Sequence, residues 1–368
     1  MKATPNDNKK MSKYLSRKLK FISVLAMCAV VFIHAYNCAD LFLTPTTRIS
    51  EGFKFTPMFE YFFSNGLFRF AVPLFFMISG FLYFFNYENT GKCYLNKLKK
   101  RTFSLLVPYL VWCLLSGVLM TVLSKIEFFK GLAIVQEKAF DLPYFFMYFL
   151  SPAAFPLWYV QQLIIFVLIA PALYFLISKS RAIILIPIGV LWFCDISFII
   201  NSQALFYFCA GAAIAIFGKS RNVTKRDDPM VTLFMTITWV CISFSNTLIA
   251  ASGDDSAFTT MIMLVLYKLN EVVGLIAAWM IFDHIAKLIT DKKGFLLAAA
   301  HVFFIYAMHE PLLHIAFQIG LVQNASPLSH LILYIFLPFT IMAACILVSM
   351  IIRKLIKPVH KVMTGGRN

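Results

Sequence analysis

Negative charge is scarce in this sequence. Asp and Glu account for only 17 of 368 residues, and all charged residues together make up 14%, yet the formal net charge is +16. A chain with so few charged residues and 60% hydrophobic residues, arranged in several apolar runs of about 18 residues or more, is not an ordinary soluble domain. The composition therefore predicts a helical protein that crosses a membrane several times.

Metal-binding and disulfide patterns are also lacking. The 8 cysteines show no C-x-x-C spacing, which argues against a zinc site and against a disulfide framework. We expect no metal ion and no permanently bound cofactor. The basic excess would suit nucleic acid, but Lys and Arg concentrate in loops between apolar runs, as in membrane proteins. Nucleic acid is therefore not an expected partner.

Windows of roughly 20 apolar residues predict an all-α polytopic membrane protein with about ten transmembrane helices. One membrane domain would occupy residues 19–353, between basic tails at 1–18 and 354–368. We expect the first helix to be retained rather than removed as a secretory signal. The predicted spans are 19–38, 66–86, 104–124, 156–177, 182–200, 203–218, 231–251, 259–285, 297–320 and 331–353.

The distribution of positive charge predicts that both termini face the cytoplasm. Most of the 33 Lys and Arg fall in the two tails and in alternate loops, and basic loops stay on the cytoplasmic side. The lipid bilayer, taken to be a bacterial inner membrane, is an expected partner. The long outer loops 39–65 and 125–155 are either lids or plain connectors. Opposite loops hold only Arg48, Lys54, Lys125, Lys130 and Lys138.

Ionisable groups within the spans predict a polar layer past the middle of the membrane, because such groups are costly in hydrocarbon unless function or pairing retains them. His34 lies about 21 Å of helix rise beyond Lys20. The alternative to a functional role is a purely structural polar network. Lys268 and Glu271 are three residues apart and so lie on one face of a helix, which suggests an ion pair. The layer also holds Arg69, Asp195, Asn270, His309 and Glu310, with Gln161 near an outer boundary.

His34 is the candidate for chemistry in this layer. A neutral imidazole takes a proton from a hydroxyl near pH 7, or carries an acyl group transiently. Glu310 or Glu271 could orient the ring, and an arginine could bind an anionic donor or an oxyanion. His309 is the rival base. The inventory fits acyl transfer, and it fits a proton-linked transporter almost as well.

Two blocks of the sequence stand out: Ala26 to His34, an apolar stretch that ends in a histidine, and Arg69 to Gly80, an apolar stretch that an arginine opens. They resemble the first helix, with its essential histidine, and the second-helix signature of the acyltransferase 3 family of integral-membrane acyltransferases. The resemblance runs through nearly the whole chain and is strongest to stand-alone members that act on exopolysaccharides. The other blocks are Lys97 to Trp112, Pro156 to Gln161 and Phe304 to Pro311.

The resemblance implies an enzyme that moves an acyl group, usually acetyl, from a cytoplasmic acyl-coenzyme A to a hydroxyl of an extracytoplasmic polysaccharide. The polysaccharide synthesis machinery is a further expected partner, and a homodimer stays open. The expected catalytic residues are His34, Glu310 and His309. Expected donor-binding residues are Arg101, Lys97, Lys100 and Lys20, and expected acceptor or gating residues are Arg69, Trp158, Gln161, Glu271 and Lys268.

Two positions depart from the family pattern. Ser23 stands where many members have an arginine eleven residues before the histidine, with Lys20 and Lys18 nearby. Ser104 replaces the second arginine of an Arg-x-x-Arg that begins at Arg101. Lysine does not bind phosphate bidentately as arginine does, so the identity of the donor stays open. The rival functions are a polysaccharide or lipid-linked sugar exporter, another proton-linked transporter, and a non-enzymatic partner of a polysaccharide synthase.

Overall fold

The computed structural model describes residues 11–36, 55–130, 149, 155–218, 228–254, 256–289, 292–316 and 326–367. Within these ranges the chain is helical and contains no strand, which confirms the all-α prediction. Much of both predicted outer loops lies outside the described residues, so their role as lids stays a prediction. The helices are α1 (Lys13–Ala35), α2 (Phe55–Tyr61), α3 (Ala71–Phe84), α4 (Gly91–Arg101), α5 (Val107–Leu123), α6 (Glu127–Lys130), α7 (Trp158–Leu168), α8 (Ala170–Ser180), α9 (Leu185–Phe193), α10 (Ser202–Phe217), α11 (Pro229–Ala251), α12 (Ala257–Ile289), α13 (Lys293–Ala316), α14 (Pro327–Leu355) and α15 (Lys357–Thr364).

Seven helical stretches in the described ranges are long and apolar enough to cross a membrane. The multi-pass membrane character is therefore confirmed, whereas the count of about ten spans and the side on which the termini lie stay predictions. The seven stretches are Lys13–Ala35, Phe55–Phe84, Gly91–Leu123, Pro229–Ala251, Ala257–Ile285, Lys293–Leu313 and Pro327–Leu355.

The middle of the chain departs from straight transmembrane helices. The predicted span 156–177 corresponds to α7 and α8, which meet at a bend of 70°. Pro171, in the first turn of α8, has no N–H to continue the hydrogen bonds of α7. The predicted span 182–200 contains only the nine residues of α9, and 203–218 corresponds to the 16 residues of α10. Both are shorter than the roughly 20 residues that a straight span needs.

Helix α1 lies inside the bundle and contacts α3, α12, α13 and α14. Apart from Ser23, its residues from Phe21 to Ile33 are apolar, and most of these side chains are buried. A helix that is hydrophobic all round is buried on all sides. The fold therefore carries His34, near the end of α1, into the interior.

The most extensive helix–helix contact joins α3 and α10, and two glycines make it possible. A Cβ atom at Gly80 would lie 2.0 Å from the carbonyl oxygen of Phe208, and one at Gly211 would lie 1.9 Å from that of Met77. Small residues allow transmembrane backbones to approach this closely. The structure thus gives Gly80 the packing role that its small size suggests.

The stretch before α3 is irregular. Phe62–Gly66 forms a wide π turn and Leu67–Phe70 a tight 3₁₀ turn. Side chains from neighbouring helices bind the polar groups of this stretch, as required within a membrane. Asn270 Nδ2 donates to the Gly66 carbonyl at 2.7 Å, and Ser64 Oγ lies 2.6 Å from Tyr334 Oη. The irregular backbone is therefore held from α12 and α14.

The segment after α14 folds back against the bundle. Trp112 Nε1 donates to the Met363 carbonyl at 3.0 Å. Gly365 has a left-handed backbone (φ 62°), and a Cβ there would lie 2.7 Å from the Ser104 carbonyl oxygen and 2.9 Å from the Pro108 ring. Ser104 belongs to a second π turn, Thr102–Leu106. The residues that follow α15 are thus packed closely against this turn.

Candidate functional site

One cavity, of about 530 Å³, links His34 with a group of cationic side chains. We call it the central cavity. Lys20 and His34 both line it from α1, so it follows roughly 21 Å of that helix. Apolar residues of α1, α3, α7 and α13 form most of the wall. Its polar lining consists of Ser16, Lys20, Ser23, His34, Ser79, Tyr83, Arg101, Trp158, Tyr159, Tyr306, Thr364 and Arg367.

A pair of histidines lies at one end of the central cavity. His34 is half-buried on the wall, and its ring centroid is 5.2 Å from that of the fully buried His309. Nδ1 of His309 lies 2.9 Å from the Ile305 carbonyl oxygen and 3.0 Å from that of Tyr306. Carbonyl oxygens only accept, so Nδ1 carries a proton, and in the neutral form of the ring Nε2 is the acceptor.

Glu310 follows His309 on α13 and is buried. Among the described residues that line the central cavity, Glu310 does not occur, so its role as an orienting carboxylate stays a prediction. Trp158 and Tyr159 do line the cavity. The Tyr159 hydroxyl lies 2.8 Å from Ser79 Oγ, which fixes this part of the wall.

Cationic residues form the other end of the central cavity, which we call the basic end: Lys20, Arg101 and Arg367. The Arg367 guanidinium lies 4.2 Å from the centroid of the Phe303 ring. Burial, together with the positive charge of Arg101, lowers the pKa of Arg367 to about 10. Within the described part of the chain, none of these three cations forms an ion pair with a carboxylate. The basic end therefore suits an anionic ligand.

The structure separates the four predicted donor-binding residues. Lys20 and Arg101 line the central cavity. Lys97 instead donates to the carbonyl oxygens of Tyr83 at 2.5 Å and of Phe85 at 3.3 Å, and so caps the C-terminal end of α3. Lys100 lines a separate surface pocket, together with Ser104 and Gly365. Only two of the four residues thus face the same space as His34.

Lys18, which lies near the position of the missing family arginine, has a structural role. Its ammonium lies 2.6 Å from the Asp283 carboxylate, and both side chains are 1% exposed. The same ammonium lies 4.0 Å from the centroid of the Trp279 ring, and the Tyr14 hydroxyl donates to Asp283. Lys18 therefore joins α1 to α12, and of the two neighbouring lysines only Lys20 lines the cavity.

Arg69 and Glu271 belong to a buried polar network. Arg69 donates from Nη2 to Asn65 Oδ1 at 2.5 Å and lies 5.7 Å from the centroid of the Tyr267 ring. Gln203 donates to Glu271, and the charges of Arg69 and Glu271 are close enough to interact. Neither residue is among the described residues that line the central cavity. The network lies between the irregular start of α3, α10 and α12.

The ion pair of Lys268 is formed with Asp195 rather than with the predicted partner Glu271, although the charges of Lys268 and Glu271 are also close enough to interact. Lys268 Nζ lies 2.5 Å from Asp195 Oδ1, because the long side chain reaches across to the turn that ends α9. Asp195 has a left-handed backbone (φ 51°) in that turn. Gln161 is half-buried on α7 and lies outside the described cavity lining. The described ranges contain no group of three or more His, Cys, Asp or Glu that could hold a metal ion.

Comparison with known proteins adds the reaction class. Residues 19–353 match the acyltransferase 3 family, described as an acyltransferase domain. The chain belongs to the acyltransferase 3 family. It is also 23% identical over 392 aligned positions to the succinoglycan biosynthesis protein ExoH of Rhizobium meliloti (strain 1021), an alignment that covers 97% of this chain and 94% of that protein. No solved structure matches the chain.

As a member of the acyltransferase 3 family with several membrane-spanning helices, the chain is a multi-pass membrane enzyme that transfers acyl groups. Sequence reasoning did not find Arg367, which shares the cavity with His34. Basic residues are common in the cytoplasmic tails of membrane proteins, so nothing in the sequence distinguished Arg367 from its neighbours.

Proposed function

We propose that this chain is an O-acyltransferase that moves an acyl group from a cytoplasmic acyl-coenzyme A to a hydroxyl of an extracytoplasmic polysaccharide, in a bacterial inner membrane. One observation carries the proposal: His34 and Arg101 line the same cavity. A donor held by its phosphates at the basic end would extend its acyl group along the cavity towards the histidine. The name of the relative, a succinoglycan biosynthesis protein, supports a glycan acceptor.

The lining of the central cavity suits such a donor. Between the basic end and His34 the wall is mostly apolar, with Met27, Val30 and Leu82 among its residues. Ligand sites of 300–1,000 Å³ with apolar walls and a few convergent polar groups are typical of proteins. Guanidinium groups bind phosphate oxygens through paired N–H donors. The phosphates would therefore stay at Arg101 while the thioester arm occupies the apolar part.

His34 would perform the transfer as a general base. Its neutral imidazole takes the proton of the acceptor hydroxyl while the hydroxyl oxygen attacks the thioester carbonyl carbon. The carbon–sulfur bond then breaks, and the leaving thiolate receives the proton from the imidazolium. The products are an O-ester and free coenzyme A. In the covalent variant of this scheme, the acyl group passes first to the imidazole nitrogen and then to the hydroxyl.

His309 would act as a positioning residue for His34. The backbone carbonyls of Ile305 and Tyr306 hold the proton of His309 on Nδ1. A neutral His309 therefore offers Nε2 as an acceptor for an N–H of the neighbouring ring, which would fix the tautomer of His34. The acceptor sugar would approach from the Trp158 side of the cavity, where an aromatic face suits an apolar sugar face.

The mass of the surface glycan tests this function. We would compare the polymer from cells that lack the gene with the polymer from cells complemented by the wild type or by His34→Gln. We expect the wild type alone to restore an acyl mass, which also identifies the group as acetyl, succinyl or another acyl. Unchanged acylation without the gene would contradict the proposal. Normal acylation with arrested export would instead favour a transporter.

A further inference from the structure

A second guanidinium reaches the central cavity from a distant part of the sequence. Arg367 follows α15 and lines the cavity together with Arg101 and Lys20. We infer that Arg367 and Arg101 form a two-arginine clamp for the phosphate groups of the donor, which makes the segment 357–367 part of the donor site. The inference rests on the proposed function for the identity of the donor, and on the geometry for the anion site itself.

The position of Arg367 is built by several contacts. The segment is fixed at Met363, whose carbonyl accepts from Trp112 at 3.0 Å. Ser349 Oγ lies 2.9 Å from His360 Nε2, and both residues are buried. Gly365 packs so closely against the π turn that follows Arg101 that a Cβ would clash with backbone. These contacts hold the residues that follow α15 next to the π turn that follows Arg101.

The orientation of the Arg367 side chain is also restricted. Its Nη1 donates to the Thr364 carbonyl at 3.3 Å, and one face of the guanidinium lies over the Phe303 ring at 4.2 Å. Stacking on an aromatic face leaves the remaining N–H donors at the edge of the guanidinium to bind a ligand. The planar fork of arginine matches phosphate oxygens in this geometry.

The positive charges of the basic end favour binding of an anion. Arg101 and Arg367 interact as like charges, and burial together with Arg101 lowers the pKa of Arg367 to about 10. Within the ranges that the structure describes, no carboxylate pairs with either arginine. Two confined positive charges repel each other, so an anion that bridges them binds more strongly than at an exposed site. A pyrophosphate or phosphate ester has the required oxygens.

Anionic lipid is the other source of a phosphate group near a membrane protein, and the test separates the two sources. We would measure binding of free coenzyme A to the purified full chain in nanodiscs of neutral phosphatidylcholine by isothermal titration calorimetry. A second set of nanodiscs would contain phosphatidylglycerol. We expect the same dissociation constant in both. If phosphatidylglycerol weakens coenzyme A binding to the wild type, while Arg367→Ala removes that lipid effect and leaves coenzyme A binding in phosphatidylcholine unchanged, lipid holds the pair and the inference is overturned.

Variants of the segment give the decisive comparison. We expect Arg367→Ala to weaken coenzyme A binding by about 10- to 100-fold, which corresponds to a lost charge-assisted contact with phosphate. Arg367→Lys should recover only part of this loss, because an ammonium lacks the paired donors. The matched control is Lys361→Ala, which removes an exposed charge from the same segment and should change binding less than about twofold.

The outcomes separate this inference from the proposed function. If Arg367→Ala and Arg367→Lys bind coenzyme A as the wild type does, the clamp is refuted while the proposed reaction stands. A wild type that binds no coenzyme A would contradict both. Elution of each variant as a single symmetric peak establishes that it is folded, and Arg367→Lys carries the comparison if the alanine variant aggregates.

Discussion

Replacement of Gly80 by alanine tests the crossing on which the cavity wall depends. The new methyl group would lie 2.0 Å from the Phe208 carbonyl oxygen, whereas ordinary contact begins at 3.4 Å. The obstacle is backbone, which cannot rotate away as a side chain can. Helices α3 and α10 would therefore have to separate by roughly 1.4 Å at this point, which opens gaps among all their other contacts.

The expected destabilisation follows from that displacement. Overpacking of a well-packed core costs typically 1–3 kcal/mol, and a rigid backbone obstacle places Gly80→Ala at about 3 kcal/mol or more. Gly211→Ala should cost a similar amount, because its methyl group would lie 1.9 Å from the Met77 carbonyl oxygen. The same separation of α3 and α10 would relieve the steric clash in both variants. The double variant should thus cost clearly less than the two single variants together.

Thermal unfolding in detergent, followed by size-exclusion chromatography, measures these differences. Gly294→Ala is the matched control, because a Cβ at this helical glycine meets no atom within 4 Å. We expect the control to unfold near the wild-type temperature and Gly80→Ala well below it. If Gly80→Ala unfolds together with the control, the close crossing of α3 and α10 is refuted.

Two further predictions concern buried charged and titratable groups. Asp283→Asn removes the carboxylate that lies 2.6 Å from the ammonium of Lys18, a side chain that is 1% exposed. Loss of this buried charge pair should destabilise the protein by about 3–5 kcal/mol in a thermal or denaturant series, and an unchanged midpoint would contradict this. Burial, and then the charge of Arg353, lower the pKa of His360 below its usual 6.5. The released segment then binds the proton more readily, so docking of 357–364 should be complete above about pH 6.5 and weaken as the pH falls. Hydrogen exchange, corrected for its intrinsic rate, should show lost protection at low pH, and equal protection at both pH values would refute the linkage.

The long helices follow from composition, and the broken ones do not. The predicted span 231–251 agrees closely with Pro229–Ala251, because an unbroken apolar run has few other ways to bury its backbone. The window at 182–200 contains apolar residues that form only a nine-residue helix. A hydropathy window measures composition and does not register the turn at Asp195, which is stabilised by Lys268 from 73 residues away in the sequence.

The candidate site shows the same limit. The depth argument placed His34 and His309 at similar heights in the membrane, and their rings are neighbours in the structure. Arg101 was selected by its motif. Arg367 had no such signal, because its position depends on a tertiary contact between Gly365 and the π turn at Ser104. Chain segments that meet only through folding leave no spacing pattern in the sequence.

Acyl transfer by the purified protein tests the central claim most directly. The full chain in vesicles would receive labelled acetyl- or succinyl-coenzyme A on the basic side and a glycan acceptor on the other, and the labelled ester would be measured for the wild type and His34→Gln. We predict ester formation by the wild type and a loss of at least about 100-fold for His34→Gln, with both proteins equally folded and equally able to bind coenzyme A. A His34→Gln variant that transfers the acyl group at the wild-type rate would contradict the account.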